Sequence, residues 1–145
     1  MYNMHMKDTI LFGDCRKTLS AFLPNSARMC VTSPPYYGLR DYGGEDEQIG
    51  QEQSPEEYVN EMVNVFREVR NVLTEDGTLW LNIGDSYYNY RKDGCIPKQT
   101  FAANRQDLPK TTPRRSNKLN GYKDKDLIGI PWMLAFALRA DGWYL

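Results

Sequence analysis

The chain has 145 residues, 41% hydrophobic and 12% aromatic, which is enough for the core of one folded domain over 1–145 and too little for two. No apolar run approaches the ~20 residues of a membrane span, and the N-terminal residues lack a secretory hydrophobic region, so we expect a cytoplasmic protein without membrane contact. The formal net charge of −1 excludes a uniformly basic or acidic protein.

The cysteine and histidine content disfavours metal-dependent chemistry. Cys15, Cys30 and Cys95 show no C-x-x-C spacing, which argues against a disulfide framework or a zinc site. The single histidine, His5, lies near the N-terminus, where a ligand or catalytic role is uncommon. We therefore predict reduced thiols and no bound metal.

The first part of the chain alternates short apolar runs with polar breaks. Residues 9–12 predict a buried parallel strand, and a short helix is expected over 15–22. Residues 28–31 predict a second strand, which leads into the Thr-Ser-Pro-Pro-Tyr sequence of residues 32–36. Two consecutive prolines cannot continue a helix or donate to a sheet ladder. This stretch therefore predicts a rigid loop at the end of a strand.

A long amphipathic helix is expected in the middle of the chain. Ser54 suits the N-cap, Pro55 the first helical position and Glu57 the capping box. Apolar residues then recur at spacings of three and four, which predicts a helix over 55–73. A turn over 74–77 and a strand over 78–83 follow. The order strand, helix, strand implies right-handed crossovers and a mainly parallel sheet.

The last part of the chain is dominated by a basic segment. Ten Lys and Arg residues face three acids between positions 91 and 125, so 87–126 is expected to be a mobile loop suited to a polyanion. A mostly buried helix over 131–140, with Gly142 as its C-terminal stop, and a strand beginning at 143–145 complete the expected elements. The fold class is therefore α/β, a mainly parallel sheet flanked by helices.

Ligands of open parallel sheets bind beyond the carboxyl ends of the strands. Asp14, Ser33 and Asp85 all fall at such predicted ends. The sequence therefore places a binding site around the Ser-Pro-Pro-Tyr stretch, residues 33–36, hereafter the proline loop.

Residues 32–36 resemble the catalytic motif of the DNA amino-methyltransferases, which methylate cytosine N4 or adenine N6 with S-adenosylmethionine. Further blocks resemble the subgroup whose catalytic block precedes its cofactor block, and they lie at 11–14, 38–42, 77–87, 126–132 and 141–144. The resemblance implies a partial Rossmann-like methyltransferase fold. Serine before the two prolines leans toward cytosine N4 rather than adenine N6.

The resemblance also implies roles for individual residues. Ser33, Pro34, Pro35 and Tyr36 would form the catalytic site: the Ser33 hydroxyl and the Pro34 carbonyl accept hydrogen bonds from the amine, and Tyr36 stacks on a base flipped out of the duplex.

Contacts to cofactor and DNA are implied in the same way. Asp14, Thr32 and Asp85 are expected near S-adenosylmethionine, with a turn for Asp14 and a helix cap for Asp85 as the alternatives. Double-stranded DNA is the expected partner, with solvated disorder of the basic segment as the alternative. The residues expected to contact DNA are Arg40, Arg105, Lys110, Arg114, Arg115 and Lys118.

The resemblance is incomplete, because the sequence contains no G-x-G and lacks the glycine-rich cofactor block and the target-recognition region of such enzymes. It therefore looks like their N-terminal catalytic part. A complementary C-terminal chain or a homo-oligomer is the expected protein partner, since an incomplete sheet exposes an edge and an apolar face. Two alternatives stay open: a fragment that binds DNA or a partner without turnover, and methylation of RNA, which the blocks after the proline motif disfavour.

Overall fold

The computed structural model describes residues 8–39, 48–88 and 119–145. Within these ranges the chain forms α1 (Cys15–Leu19), β1 (Ala27–Thr32), α2 (Pro55–Val72), β2 (Leu73–Leu81) and α3 (Ile130–Ala140). β1 and β2 pair in parallel, which confirms the predicted α/β class. No helix in the described part of the chain is long and apolar enough to cross a membrane.

The helix α2 forms almost as its sequence predicts. The Ser54 hydroxyl accepts a hydrogen bond from the Glu57 N–H at 3.2 Å, while the Glu57 carboxylate accepts from the N–H of Gln53 at 3.0 Å. Both bonds satisfy backbone donors that the first turn of a helix leaves open. The apolar stripe of α2 is buried and forms the centre of the core with α3 and one face of the sheet.

The predicted turn over 74–77 lies inside β2 rather than before it. Ala27 pairs with Leu73, but Met29 pairs with Thr78, so extra residues bulge out of β2 between the two pairs. Gly77 is needed in this bulge, because a Cβ atom there would lie 2.9 Å from the Thr74 carbonyl oxygen. β2 therefore begins earlier than predicted and ends at Leu81.

Two predicted strands do not form. No strand is assigned over 9–12, where Phe12 is 91% exposed, or over 143–145, where Tyr144 is fully exposed. An apolar run becomes a strand only when a neighbouring strand pairs with its backbone. In the described ranges β1 and β2 pair only with each other. The two predictions are wrong because neither run has a neighbouring strand to pair with.

The helix α3 has the predicted position but not the predicted burial. It ends at Ala140, and Gly142 adopts the positive φ of +101° that suits a helix stop. Trp132 is 70% exposed and Phe136 is also exposed, so the prediction of a mostly buried helix is wrong. The reason is that α3 packs against α2 through a single stripe, formed by Ile130, Leu134 and Leu138.

Candidate active site at the carboxyl end of the sheet

The proline loop leaves β1 where the sheet ends. The carbonyl of Thr32, the last residue of β1, accepts a hydrogen bond from the N–H of Asn82 at 2.9 Å. Ser33 follows and is exposed, and its Oγ lies 3.5 Å from the Oη of Tyr36. A contact of that length is weak. The structure thus brings the Ser33 and Tyr36 hydroxyls close together without a strong hydrogen bond between them.

Side-chain hydroxyls anchor one carbonyl of the loop and the carbonyl of the residue after it. The Pro35 carbonyl accepts from the Tyr58 hydroxyl at 2.9 Å, and the Tyr37 carbonyl accepts from the Ser86 hydroxyl at 2.7 Å. Among the described residues, no donor reaches the carbonyl of Pro34. The Pro34 carbonyl is therefore an acceptor without a donor in this part of the chain, and it follows directly on the exposed Ser33.

Tyr58 is a supporting residue that the sequence identified only as part of the α2 stripe. It is fully buried, and its ring lies 5.4 Å from that of Tyr37, centroid to centroid. Burial raises the pKa of Tyr58, which further favours the protonated hydroxyl that donates this bond. The helix α2 therefore holds the proline loop through a long-range bond that no sequence spacing reveals.

Gly84, which follows the end of β2, supports Tyr36. A Cβ atom at position 84 would lie 2.9 Å and 3.1 Å from two carbons of the Tyr36 ring, Cε2 and Cδ2. The ring is thus seated directly on the backbone beyond the end of β2. A glycine immediately after the apolar run of a strand was the available sequence signal, because it often marks a close backbone approach.

Replacing Gly84 with alanine is expected to displace the Tyr36 ring. The added methyl overlaps the ring, so the free energy of unfolding should fall by about 1–3 kcal/mol, as for other overpacked sites. Urea denaturation measures this loss. In a Tyr36→Ala background the same substitution should cost much less, because its obstacle is gone; an equal cost in both backgrounds would contradict the contact.

Asp85 links the site to α3. Its carboxylate accepts from the N–H groups of Ser86 at 2.8 Å, Gly129 at 3.0 Å and Ile130 at 3.0 Å. Gly129 is the N-cap of α3 and has no side chain to cap the helix, so Asp85 supplies the negative charge that a helix N-terminus favours. The structure shows Asp85 capping α3, and its role near the cofactor stays a prediction.

Comparison with known proteins identifies the family. A family model described as DNA methylase, for N6 and N4 methyltransferases, matches residues 27–130, a range that contains the proline loop, Gly84 and Asp85. The chain belongs to the N6/N4 DNA methylase family. This confirms the predicted family, and the parallel strands and helices are those of a partial α/β methyltransferase fold.

Curated relatives of this chain carry the name Type II methyltransferase. The chain is 48% identical over 137 residues to M.Cfr9I of Citrobacter freundii and to M.XycI of Xanthomonas campestris pv. cyanopsidis. It is 44% identical over 136 residues to M.SmaI of Serratia marcescens. These matches take in 94% of the chain but only 43–44% of each relative, so the chain spans less than half of their length. No solved structure matches it.

Two of the residues predicted to bind the cofactor have carboxylates that are hydrogen-bonded within the chain. Asp14 caps α1 by accepting from the Arg16 N–H at 2.9 Å, and its Oδ2 lies 2.9 Å from the Arg16 guanidinium. This bond to Arg16 lowers the pKa of Asp14. The Asp85 carboxylate is hydrogen-bonded to the N-terminus of α3. Thr32, next to the proline loop, has no side-chain hydrogen bond of this kind among the described residues. The described residues do not by themselves form a site that fits S-adenosylmethionine.

The basic residues predicted to contact DNA lie outside the described residues, so their role stays a prediction: Arg40, Arg105, Lys110, Arg114, Arg115 and Lys118. The two flanks of the predicted 87–126 loop are described. Tyr87 forms an antiparallel bridge with Leu127, and Tyr88 exchanges backbone hydrogen bonds with Lys125 and Asp126. The sequence did not indicate this pairing. It brings the two ends of the basic segment together next to Ser86, which is hydrogen-bonded to the Tyr37 carbonyl.

Proposed function

We propose that this methylase acts on the exocyclic amino group of a base flipped out of double-stranded DNA, and that the group is N4 of cytosine. The observation that carries the proposal is the pair of adjacent acceptors, Ser33 Oγ and the Pro34 carbonyl, on the proline loop within the matched family region. S-adenosylmethionine would supply an electrophilic methyl group.

The acceptors address the chemical difficulty of the reaction. An exocyclic amine is a poor nucleophile, because its lone pair is delocalised into the base. Hydrogen bonds from its two N–H groups to Ser33 and Pro34 favour a more tetrahedral nitrogen, whose lone pair then points out of the ring plane. Tyr36, seated on Gly84, would offer a ring face on which the flipped base stacks.

The remaining predicted contacts are those to the cofactor and to DNA. Asp14, Thr32 and Asp85 would approach the cofactor only if further polypeptide completes that site, and the basic residues 105–118 with Arg40 would neutralise DNA phosphates. Serine ahead of the prolines supports cytosine over adenine. Adenine N6 is the second candidate, because the family model covers both reactions.

A fragment without turnover of its own is the other candidate. Its support is the span of 43% of the Citrobacter relative and the lack of a fitting cofactor site among the described residues. Such a chain would bind DNA or a second polypeptide and become active only when the missing part is supplied.

A methyl-transfer assay separates these candidates. Tritiated S-adenosylmethionine and mixed-sequence duplex DNA are incubated with the chain alone, and with the chain co-expressed with the part of the Citrobacter relative that it does not match. Digested DNA is analysed for N4-methylcytosine and N6-methyladenine. We expect N4-methylcytosine. Detection of N6-methyladenine instead would favour adenine as the target. The absence of both products from both samples would overturn the proposal. Activity only on co-expression would establish the split form.

Replacing Tyr36 with alanine tests the stacking role. Base stacking on an aromatic ring contributes about 1–3 kcal/mol, so we expect the KM for duplex DNA to rise roughly ten- to hundredfold. Tyr36→Phe keeps the ring and should stay within about threefold of the parent protein. Equal KM values for the alanine and phenylalanine variants would contradict stacking.

A further inference from the structure

The two faces of the β1–β2 sheet differ in what covers them. Cys30, Leu79 and Leu81 point to the side on which the core lies and pack against it. The register pairs Met29 with Thr78 and Val31 with Trp80. Because alternate residues of a strand point to opposite faces, these four side chains share the other side, hereafter the open sheet face.

The open sheet face is apolar. Val31 is 70%, Trp80 63% and Met29 58% exposed, and none of its four side chains is charged. The Trp80 indole N–H donates to the Thr78 hydroxyl at 3.2 Å, so the polar atom of the indole is satisfied within the face. What Trp80 presents outward is therefore its apolar ring.

A two-stranded parallel sheet with one exposed apolar face is not expected to be stable. Parallel strands occur almost only where both faces are covered, and a two-stranded sheet has little stability of its own. Clustered exposed apolar side chains of this kind mark an interaction surface. A second layer is therefore needed on the side of the sheet opposite α2.

We propose that the open sheet face is the docking surface for a polypeptide equivalent to the part of the curated relatives that this chain does not match. The relatives are 48% identical across 94% of this chain, yet the match takes in only 43% of their length, so more than half of each relative has no counterpart here. The same polypeptide would bring the cofactor-binding residues that the described part of this chain does not provide.

The contact is the same whether that polypeptide continues this chain or is a separate one. It would lay helices over Met29, Val31 and Trp80 and pair strands with the edges of β1 and β2. The inference rests on family membership and on burial, and it is independent of the base that is methylated.

Co-expression tests the docking surface. A tagged form of this chain is produced together with the unmatched part of the Citrobacter relative, and the captured amount and the mass of the complex are measured by affinity purification and light scattering. We expect a one-to-one complex. Val31→Lys should reduce capture about tenfold or more, because a charge would be buried without a partner. Asn60→Lys, on the exposed side of α2, should capture as the parent chain does.

The controls make each outcome decisive. The N-terminal part of the Citrobacter relative itself, co-expressed with the same polypeptide, shows that the assay works; if it captures and this chain does not, the proposal is overturned. Equal capture by Val31→Lys and the parent would also overturn it, as would a homodimer of the chain alone that Val31→Lys dissociates. Circular dichroism of each variant confirms that it remains folded. Because the readout is binding, failure here is distinct from absence of methyl transfer.

Discussion

Replacing Ser33 with alanine is expected to lower the rate of methyl transfer at saturating DNA by about a hundredfold or more, the loss typical of removing one polar group that acts in the transition state. Ser33 is exposed, and the one hydrogen bond that its hydroxyl makes within the described ranges, to Tyr36, is long at 3.5 Å. Its removal should therefore leave the fold intact. The rate is measured as methylated nucleoside formed per minute, with the form of the protein that proves active.

Two variants serve as controls for this result. Ser33→Thr keeps the hydroxyl and should recover part of the lost rate. Ser20→Ala removes an exposed serine hydroxyl at the end of α1, bonded to the Lys17 carbonyl at 2.8 Å, and should not affect the rate. If Ser33→Ala retained nearly full activity while Tyr36→Ala lost it, the acceptor role assigned to Ser33 would be wrong.

Replacing Asp85 with alanine is expected to destabilise the fold more than any other single change to a polar residue discussed above. The variant leaves the N–H groups of Gly129 and Ile130 without their charged acceptor. Hydrogen bonds to charged groups contribute about 1.5–3 kcal/mol each, so we expect the free energy of unfolding to fall by about 3–6 kcal/mol. Urea denaturation followed by circular dichroism measures it.

Two further variants serve as comparisons for Asp85→Ala. Asp85→Asn keeps an acceptor oxygen but loses the charge at the α3 N-terminus, so it should cost about 1 kcal/mol, the size of a helix-dipole interaction. Asp124→Ala removes an exposed carboxylate and should cost less than about 0.5 kcal/mol. A loss for Asp85→Ala no larger than that for Asp124→Ala would refute the cap.

The pairing of strands shows where sequence reasoning failed. The apolar runs at 9–12 and 143–145 have strand composition, but in the described residues neither lies beside a neighbour, so neither becomes a strand. Strand formation depends on a partner that is distant in sequence or absent from it, whereas a helix closes its hydrogen bonds within four residues. The exposed side of α3 has the same cause, since burial requires a surface to meet.

The sequence correctly predicts the elements whose signals are local: the bounds of α2, set by its serine cap, its proline and its apolar period, and the stop of α3 at Gly142. It also identified the proline loop, because two adjacent prolines constrain the backbone wherever they occur.

The groups that surround that loop come from elements distant in sequence and could not be predicted from it. Tyr58 reaches the Pro35 carbonyl from 23 residues away, and Asp85 reaches Gly129 from 44 residues away. Tyr36 lies on Gly84 because the carboxyl ends of two parallel strands meet at one edge. Such contacts depend on how the elements pack, and no periodicity or cap in the sequence encodes that packing.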